Sequence, residues 1–477
     1  MALLFLQVVY ALTALLLSGY ALNALVTIWL YWCHRHDAFP RPPLVRTPNV
    51  TVQLPTYNEM YVVARLVKSV TRLEYPRDKL QIQILDDSND ETTAIARKLV
   101  KRYQAQGFDI ELVHRSTRQG FKGGALREGL KRATGEYIAI FDADFAPNSD
   151  FLLKTIPYFL QDSQLGLIQT RWGHLNSGYS AFTRAQAIAL DGHFAIEQTA
   201  RHRAGLFMNF NGSGGVWRKD CILDAGNWQD DTVCEDLDLS YRAQLAGWRF
   251  LFLPDVLSPA EIPPQVHAFK RQQFRWAKGS IQCTLKLWKQ VVAAPLPLFN
   301  RLQGLIHLSN YLVHPLMLIL MILAVPLMHW HSSFLSPLIF LSLASLGQPI
   351  LYALSQWDLY PNWQHRLTFL PLLTFLGIGI SLSTTCAIRE AITNTRNDFQ
   401  RTPKFRIEKR TDTWTDKKYT LTPDWLIRGE ILLTLYSVCG VVFAFLNHNY
   451  IAVPLFLLYV IGFSYVVCLT VLHARRN

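Results

Sequence analysis

The chain lacks the marks of a disulfide-stapled or zinc-stapled fold. Its seven cysteines (Cys33, Cys221, Cys234, Cys283, Cys386, Cys439 and Cys468) are scattered, odd in number and never at metal-ligand spacing. That pattern fits reduced thiols in a protein facing the cytosol. No internal repeat or low-complexity tract occurs. Acid is scarce: 35 Asp and Glu stand against 47 Lys and Arg, for a net charge of +12. A basic excess raises nucleic acid as a partner. Beside long apolar runs it reads instead as basic loops at an anionic membrane, and no nucleic-acid partner is expected. Residues 1–33 contain no acidic, basic or histidine side chain. A signal peptide has a basic start, a shorter apolar core and a small-residue cleavage site, so this segment reads as a membrane helix.

Of the 477 residues, 50% are hydrophobic and 17% charged. This blend accommodates one globular domain and a set of membrane helices. His34, Arg35, His36, Arg41 and Arg46 follow the first apolar segment, which places the N-terminus outside and the next domain in the cytosol. Further apolar blocks fall near 302–328, 334–356, 367–388 and 431–472, the last broken at Asn447-His448-Asn449 into two crossings. Pro371, Gly377 and Gly379 weaken the 367–388 block as a straight span. The basic stretch 396–428 obeys the charge rule only if that block lies in the interface or re-enters.

Between about 45 and 260, short apolar runs alternate with amphipathic segments. Strands are expected at 50–54, 81–85, 110–114, 137–141 and 167–170, and helices at 60–73, 92–106, 124–133 and 151–159. Such alternation predicts an α/β domain with a mostly parallel sheet, whose ligands sit at the carboxyl ends of the strands. Asp86-Asp87 and Asp142-Ala143-Asp144 stand at two of those ends.

The carboxylates of Asp142 and Asp144 suit a hard divalent cation that bridges phosphates. Thr56, Tyr57, Asn58 and Glu59 form a loop after the first strand, read as a nucleotide cradle or as a turn in which Asn58 caps the next helix. Asp87 is placed to reach a base or ribose, and Lys122, at a helix start, a phosphate. Glu235-Asp236 opens a helix, either as a plain cap or with Asp236 as a general base. The preceding Asn211-Gly212-Ser213-Gly214-Gly215 is flexible backbone or a turn. In Gln272-Gln273-Phe274-Arg275-Trp276, Arg275 suits a phosphate and Trp276 a sugar ring. The same residues also suit an interfacial anchor.

These motifs, in this order, resemble the processive membrane-bound family 2 glycosyltransferases, which include cellulose, hyaluronan and chitin synthases. The similarity is greatest to the cellulose-synthase-like A and C group and its bacterial mannan and glucan synthase relatives. It runs from about Asn49 to Lys278, plus Phe399-Gln400-Arg401-Thr402-Pro403-Lys404, which is similar to the gating loop of cellulose synthases. Arg401 stands there where a valine is usual.

The resemblance implies a GT-A fold, a UDP- or GDP-linked sugar donor, Mg²⁺ or Mn²⁺ on Asp142 and Asp144, and inversion to a β-linkage. It implies nucleotide contacts from Thr56, Tyr57, Glu59, Asp86, Asp87 and Lys122, and Asp236 as the base. Gln272, Gln273, Arg275 and Trp276 would line the diphosphate and acceptor end, with Phe399, Thr402 and Lys404 in the loop.

The implied organisation is a membrane helix (1–33), a cytosolic GT-A domain (45–260) and interfacial helices (261–300). Two spans (301–356), an interfacial or re-entrant segment (366–398), a cytosolic gating segment (399–428) and two more spans (429–472) follow. The expected activity is elongation of a β-glucan or β-mannan through a channel that Asn310, Tyr311, His314, Gln348, Tyr352 and Trp357 are candidates to line. Helix–helix hydrogen bonding is the other reading of those polar residues. The alternatives are a single-transfer glycolipid synthase acting on diacylglycerol or ceramide and, more distantly, a non-enzymatic transporter. Partners would be the donor, a polysaccharide or lipid acceptor and membrane lipids. A bacterial inner or plasma membrane is expected over a Golgi membrane.

Overall fold

The structure, a computed structural model, describes residues 1–37, 39–330, 345–395, 401–415, 417–422 and 424–475. Seven strands form one sheet: β1 Val50–Thr56, β2 Leu80–Asp86, β3 Asp109–His114, β4 Tyr137–Ile140, β5 Leu165–His174, β6 Gly215–Arg218 and β7 Arg249–Ala260. Their order is β3-β2-β1-β4-β6-β5-β7. Every pairing is parallel except the two made by β6. Helices cover both faces, so the central strands are buried: β1, β2 and β4 along their whole length. One core holds Val50, Val52, Leu54, Ile82 and Phe141. A second holds Ile138, Ile140, Leu167, Phe210 and Trp217. This is the mostly parallel α/β sheet that the alternating pattern predicts. β6 and β7 were not expected: β6 is four residues behind a glycine-rich turn, and β7 carries Pro254 and Pro259, which mask its strand pattern.

A polar ladder runs across the sheet inside the domain. Thr51 Oγ1 donates to Gln81 Oε1 (2.7 Å), Gln53 Nε2 to Gln83 Oε1 (3.0 Å), and Gln83 Nε2 to Glu111 Oε1 (3.0 Å). Each of these donors has a partner, which offsets its desolvation, while Gln53 Oε1 stays buried without one among the described residues. The strand register also places the carboxyl ends of β1, β2 and β4 side by side, Thr56 opposite Asp86 and Gln53 opposite Ile140. After β5, a helix (Ala181–Asp191) closed by a Ser180–Thr183 capping box runs into a π-helical turn (Gly192–Gln198) and a last α turn (Thr199–Arg203).

Four helices among the described residues are long and apolar enough to cross a membrane: Ala2–His34, Leu298–His329, Leu426–Leu446 and Ala452–Ala474. The segment Trp363–Gly379 continues into Ser381–Ile392 with a bend of 43°. Of the expected 334–356 span, residues 334–344 lie outside the described residues; residues 347–356 fall in the helix Gly347–Leu359. Leu432, Leu435, Val442, Phe445 and Leu446 turn outward, an apolar wall suited to lipid. The helix Val266–Ala293 lies between this bundle and the α/β domain. Two lysines staple it to the bundle: Lys270 to Glu430 (2.6 Å) and Lys278 to Glu390 (2.9 Å), all but Glu390 almost fully buried. Breaking either pair would strand a buried charge.

Candidate active site

The loop after β1 and the loop after β2 are clamped together. Asn58 adopts a left-handed backbone (φ 55°). Its Nδ2 donates to Asn89 Oδ1 (2.9 Å), and Asn89 N donates back to Asn58 Oδ1 (3.0 Å). Asn58 N also donates to Ser88 Oγ (2.7 Å). Asn58 therefore ties two strand ends instead of capping the following helix.

Asp86 and Asp87 divide their work. Asp86 is fully buried and accepts from Thr93 Oγ1 (2.6 Å), Ser88 N (3.1 Å) and His114 Nδ1 (2.8 Å). It is absent from the cavity lining, and its three hydrogen bonds hold the loop. Asp87 lines the cavity, but both of its oxygens are engaged by Arg115. Beside it the Arg118 guanidinium lies 3.5 Å from the centre of the Tyr57 ring.

Asp142 and Asp144 follow β4. Lys122 Nζ lies 2.7 Å from Asp142 Oδ1, donates to Gly212 O (2.7 Å), and stands 3.7 Å from Glu235 Oε1. Burial opposes the Lys122 charge, yet Asp142, Glu235 and Asp236 outweigh it and hold its pKa up at about 12. Lys122 is thus the hub of the carboxylate cluster.

Burial pushes Glu235 up to about 7, against the pull of Lys122. Asp236 is also raised by burial, with Lys122 and Arg275 opposing. A carboxylate lifted in this way is better matched to accepting a proton near neutral pH. Gly212 makes room for it: its φ is +81°, and a Cβ there would come within 2.8 Å of Asp236 Oδ2.

The Gln272–Trp276 motif reaches the site from the helix Val266–Ala293. That helix docks through Gly279, where a Cβ would fall 2.2 Å from Cys234 Sγ. The close approach brings the motif against the turn that carries Asp236. Gln272, Gln273, Arg275 and Trp276 all line the cavity.

The segment after residue 400 crosses the pocket from the other side. Lys404 Nζ lies 2.5 Å from Asp144 Oδ2, Arg401 Nη1 3.1 Å from Glu59 Oε1, and Phe405 N donates to Glu261 Oε1 (3.0 Å). Thr402 is buried between them. Burial raises Glu59 to about 8, with Arg401 the largest opposing influence. Phe399 lies outside the described residues.

One cavity of about 1090 Å³ joins these parts. Thr56, Tyr57, Glu59, Asp87, Lys122, Asp142, Asp144 and Asp236 line one end, and it continues between membrane helices past Tyr311, His314, Met321, Tyr352, Phe456 and Tyr459. Asn310 and Gln348 also line it; Trp357 does not. Sequence reasoning missed Arg115, Glu261 and the π turn. Glu261 carried a usable signal, since it follows β7 as the other carboxylates follow β2 and β4.

Residues 48–279 match the family model described as "Glycosyltransferase like family 2". This domain belongs to glycosyltransferase family 2. Over 263 residues the chain is 41% identical to glucomannan 4-beta-mannosyltransferase 1 of Cyamopsis tetragonoloba, covering 54% of this chain and 49% of that protein. Over 336 residues it is 37% identical to glucomannan 4-beta-mannosyltransferase 2 of Arabidopsis thaliana, covering 66% of this chain and 62% of that protein. The chain thus spans about half the length of the first of these relatives. A mannosyltransferase from Pyrobaculum calidifontis, solved with GDP-Man and Mn²⁺, superposes with a TM-score of 0.55 at 18% identity, covering 82% of this chain and all of that one. That likeness speaks to the fold, and the family 2 domain has the GT-A architecture.

Proposed function

We propose that this chain is a membrane-embedded inverting β-glycosyltransferase. It takes a sugar from a nucleotide donor, extends a β-linked mannan, glucan or glucomannan, and passes the product into its own membrane helices. The observation that carries this reading is the single cavity that runs from Asp142, Asp144 and Asp236 to Phe456 and Tyr459. Along that stretch Tyr311, Tyr352 and Tyr459 offer ring faces to successive sugars of a chain. GDP-mannose is the favoured donor and UDP-glucose the alternative, because the plant relatives are named as glucomannan 4-beta-mannosyltransferases.

The chemistry follows from residue roles. Asp236 takes the proton of an acceptor hydroxyl, whose oxygen attacks the anomeric carbon as the bond to the nucleoside diphosphate breaks. Attack opposite the leaving group inverts the centre to β. Lys122 keeps Asp236 ionised despite burial, Trp276 gives the acceptor ring a flat face, and Arg275 meets the departing anion.

The strand-end carboxylates fit a divalent cation. Both offer hard oxygen ligands, and each already attracts an ammonium nitrogen, at 2.7 Å for Asp142 and 2.5 Å for Asp144. Asp142 and Asp144 would hold Mg²⁺ or Mn²⁺, which when bound stabilises charge on the diphosphate. Among the described residues no three His, Cys, Asp or Glu side chains cluster as a complete metal site. Donor phosphates are the natural further ligands.

We place the family 2 domain on the cytosolic side, from the basic residues after the first helix. The named relatives are plant proteins, which does not favour the bacterial membrane expected from sequence.

The deciding experiment gives the purified chain labelled GDP-mannose, UDP-glucose or UDP-N-acetylglucosamine with Mg²⁺ or Mn²⁺. A ladder of long products is expected from one donor. One lipid-soluble monoglycoside would overturn the polymer reading.

A further inference from the structure

The π turn Gly192–Gln198 interrupts an otherwise regular helix beside the base. Such turns are frequent at functional sites, and this one carries a polar chain that the mechanism above does not use. Arg201, 2% exposed, donates from Nε to Glu197 Oε1 (3.1 Å). Glu197 Oε2 meets His193 Nδ1 at 2.9 Å. Asn211 Nδ2 donates to His193 Nε2 (2.9 Å), and Gln198 Nε2 donates to Asn211 Oδ1 (2.8 Å).

The proton roles follow from the donors. An amide nitrogen can only donate, so His193 Nε2 accepts and His193 Nδ1–H donates to the Glu197 carboxylate. Burial opposes ionisation of Glu197, but His193 and Arg201 hold its carboxyl well below the usual range. Asn211 spends one of its two amide hydrogens on His193 and, among the described residues, keeps the other.

The position of this chain indicates what it serves. Asn211 directly precedes Gly212, the residue against Asp236 and Lys122. On its other side the π turn packs on the channel: a Cβ at Gly192 would come 2.6 Å from Tyr352 Cδ1. Phe194 of the same turn packs against Trp172 of β5 at 5.1 Å. The proposed donor contacts, Thr56, Asp87, Lys122, Asp142 and Asp144, belong to the β1–β4 half. His193, Glu197 and Asn211 line the same cavity, with Gly212 and Asp236 on one side and Tyr352 on the other. A growing chain must place its terminal sugar there to present a hydroxyl to Asp236.

Resting on the function proposed above, we propose that His193 is a positioning residue for the acceptor sugar. Held by Glu197, it fixes the Asn211 amide so that its remaining N–H receives an acceptor hydroxyl oxygen beside Asp236.

The test uses the full chain in detergent, with β-1,4-mannohexaose as acceptor and GDP-mannose as donor. His193→Ala should raise the acceptor KM about tenfold, the loss of one aligned hydrogen bond, and leave the donor KM within about twofold. Asn211→Ala should give the same rise, and the double variant no more than either single one, because both remove one interaction. His193→Gln, which can still bridge Glu197 and Asn211, should restore most of the acceptor affinity; a thermal melt checks that each variant is folded. An unchanged acceptor KM in His193→Ala, an equal rise in donor KM, or fully additive variants would overturn the proposal. If the unmodified chain transfers no sugar from any donor, the underlying reading fails. Transfer with normal acceptor dependence in His193→Ala fails this inference alone.

Discussion

The two ends of the cavity are built on opposite principles. At the strand end, charge is met by charge: Asp142 holds Lys122, Asp144 holds Lys404, Asp87 holds Arg115 and Glu59 holds Arg401. At the membrane end the lining is apolar and aromatic, with sparse neutral polar groups such as Tyr311, His314 and Gln348. His314 Nδ1 is buried without a hydrogen-bond partner among the described residues. An anionic donor must compete with the protein's own carboxylates for its cations, whereas a neutral saccharide needs only hydroxyl contacts and ring faces. Under the proposed function the difference separates a place for chemistry from a place for passage, and each variant below tests one side of it.

The largest effect is expected from Asp236→Asn. Loss of a general base should cut sugar transfer by about 10²–10⁴-fold while donor binding, measured by titration, persists. Turnover at the original rate would remove Asp236 from the mechanism.

Next comes pH. Burial lifts Glu235 to about 7 and raises Asp236, so the base is fully ionised only above the usual carboxylate range. The value kcat/KM should therefore fall as pH drops through the neutral region, the apparent midpoint belonging to the pair. Lys122 lowers both pKa values, so Lys122→Met should move this acid limb to higher pH. A limb that stays put or moves down would show that Lys122 does not serve the pair.

Gly279→Ala tests the docking of the motif helix. A Cβ 2.2 Å from Cys234 Sγ should cost about 1–3 kcal/mol, read as a lower melting temperature. Cys234→Ala in the same chain should recover only part of it, since the Cys234 Cβ (2.7 Å) and backbone N (3.0 Å) stay in place.

The smallest effect should come from His314→Leu at the passage end. It should shorten the product ladder and slow transfer only a few-fold, about the value of one hydrogen bond. A loss as large as that of Asp236→Asn would erase the distinction between the two ends.

Much of this was legible in the residues. The alternation of short apolar runs with amphipathic segments specifies a mostly parallel sheet, because each period buries one kind of face. Residues that end strands then fall at one edge of that sheet, which is why Asp87, Asp142 and Asp144 could be gathered without coordinates. The same logic failed for β6 and β7, where glycine and proline hide the period. It also could not divide Asp86 from Asp87. Neighbours in a chain point opposite ways at a strand end, and only the partners Thr93, Ser88 and His114 show that Asp86 faces inward.

Local periodicity and residue type were enough for the domain type, the long apolar segments and the carboxylates at the strand ends. Tertiary structure decided the pairings across long separations: Lys404 with Asp144, Arg401 with Glu59, Gly279 against Cys234, and His193 with Asn211. Such contacts carry no local signature, because they arise only when packing of the sheet and helices brings distant segments within a few ångströms. The continuity of the cavity from Asp236 into the membrane helices is of the same kind. It is a property of how the two halves are packed, and neither half's sequence contains it.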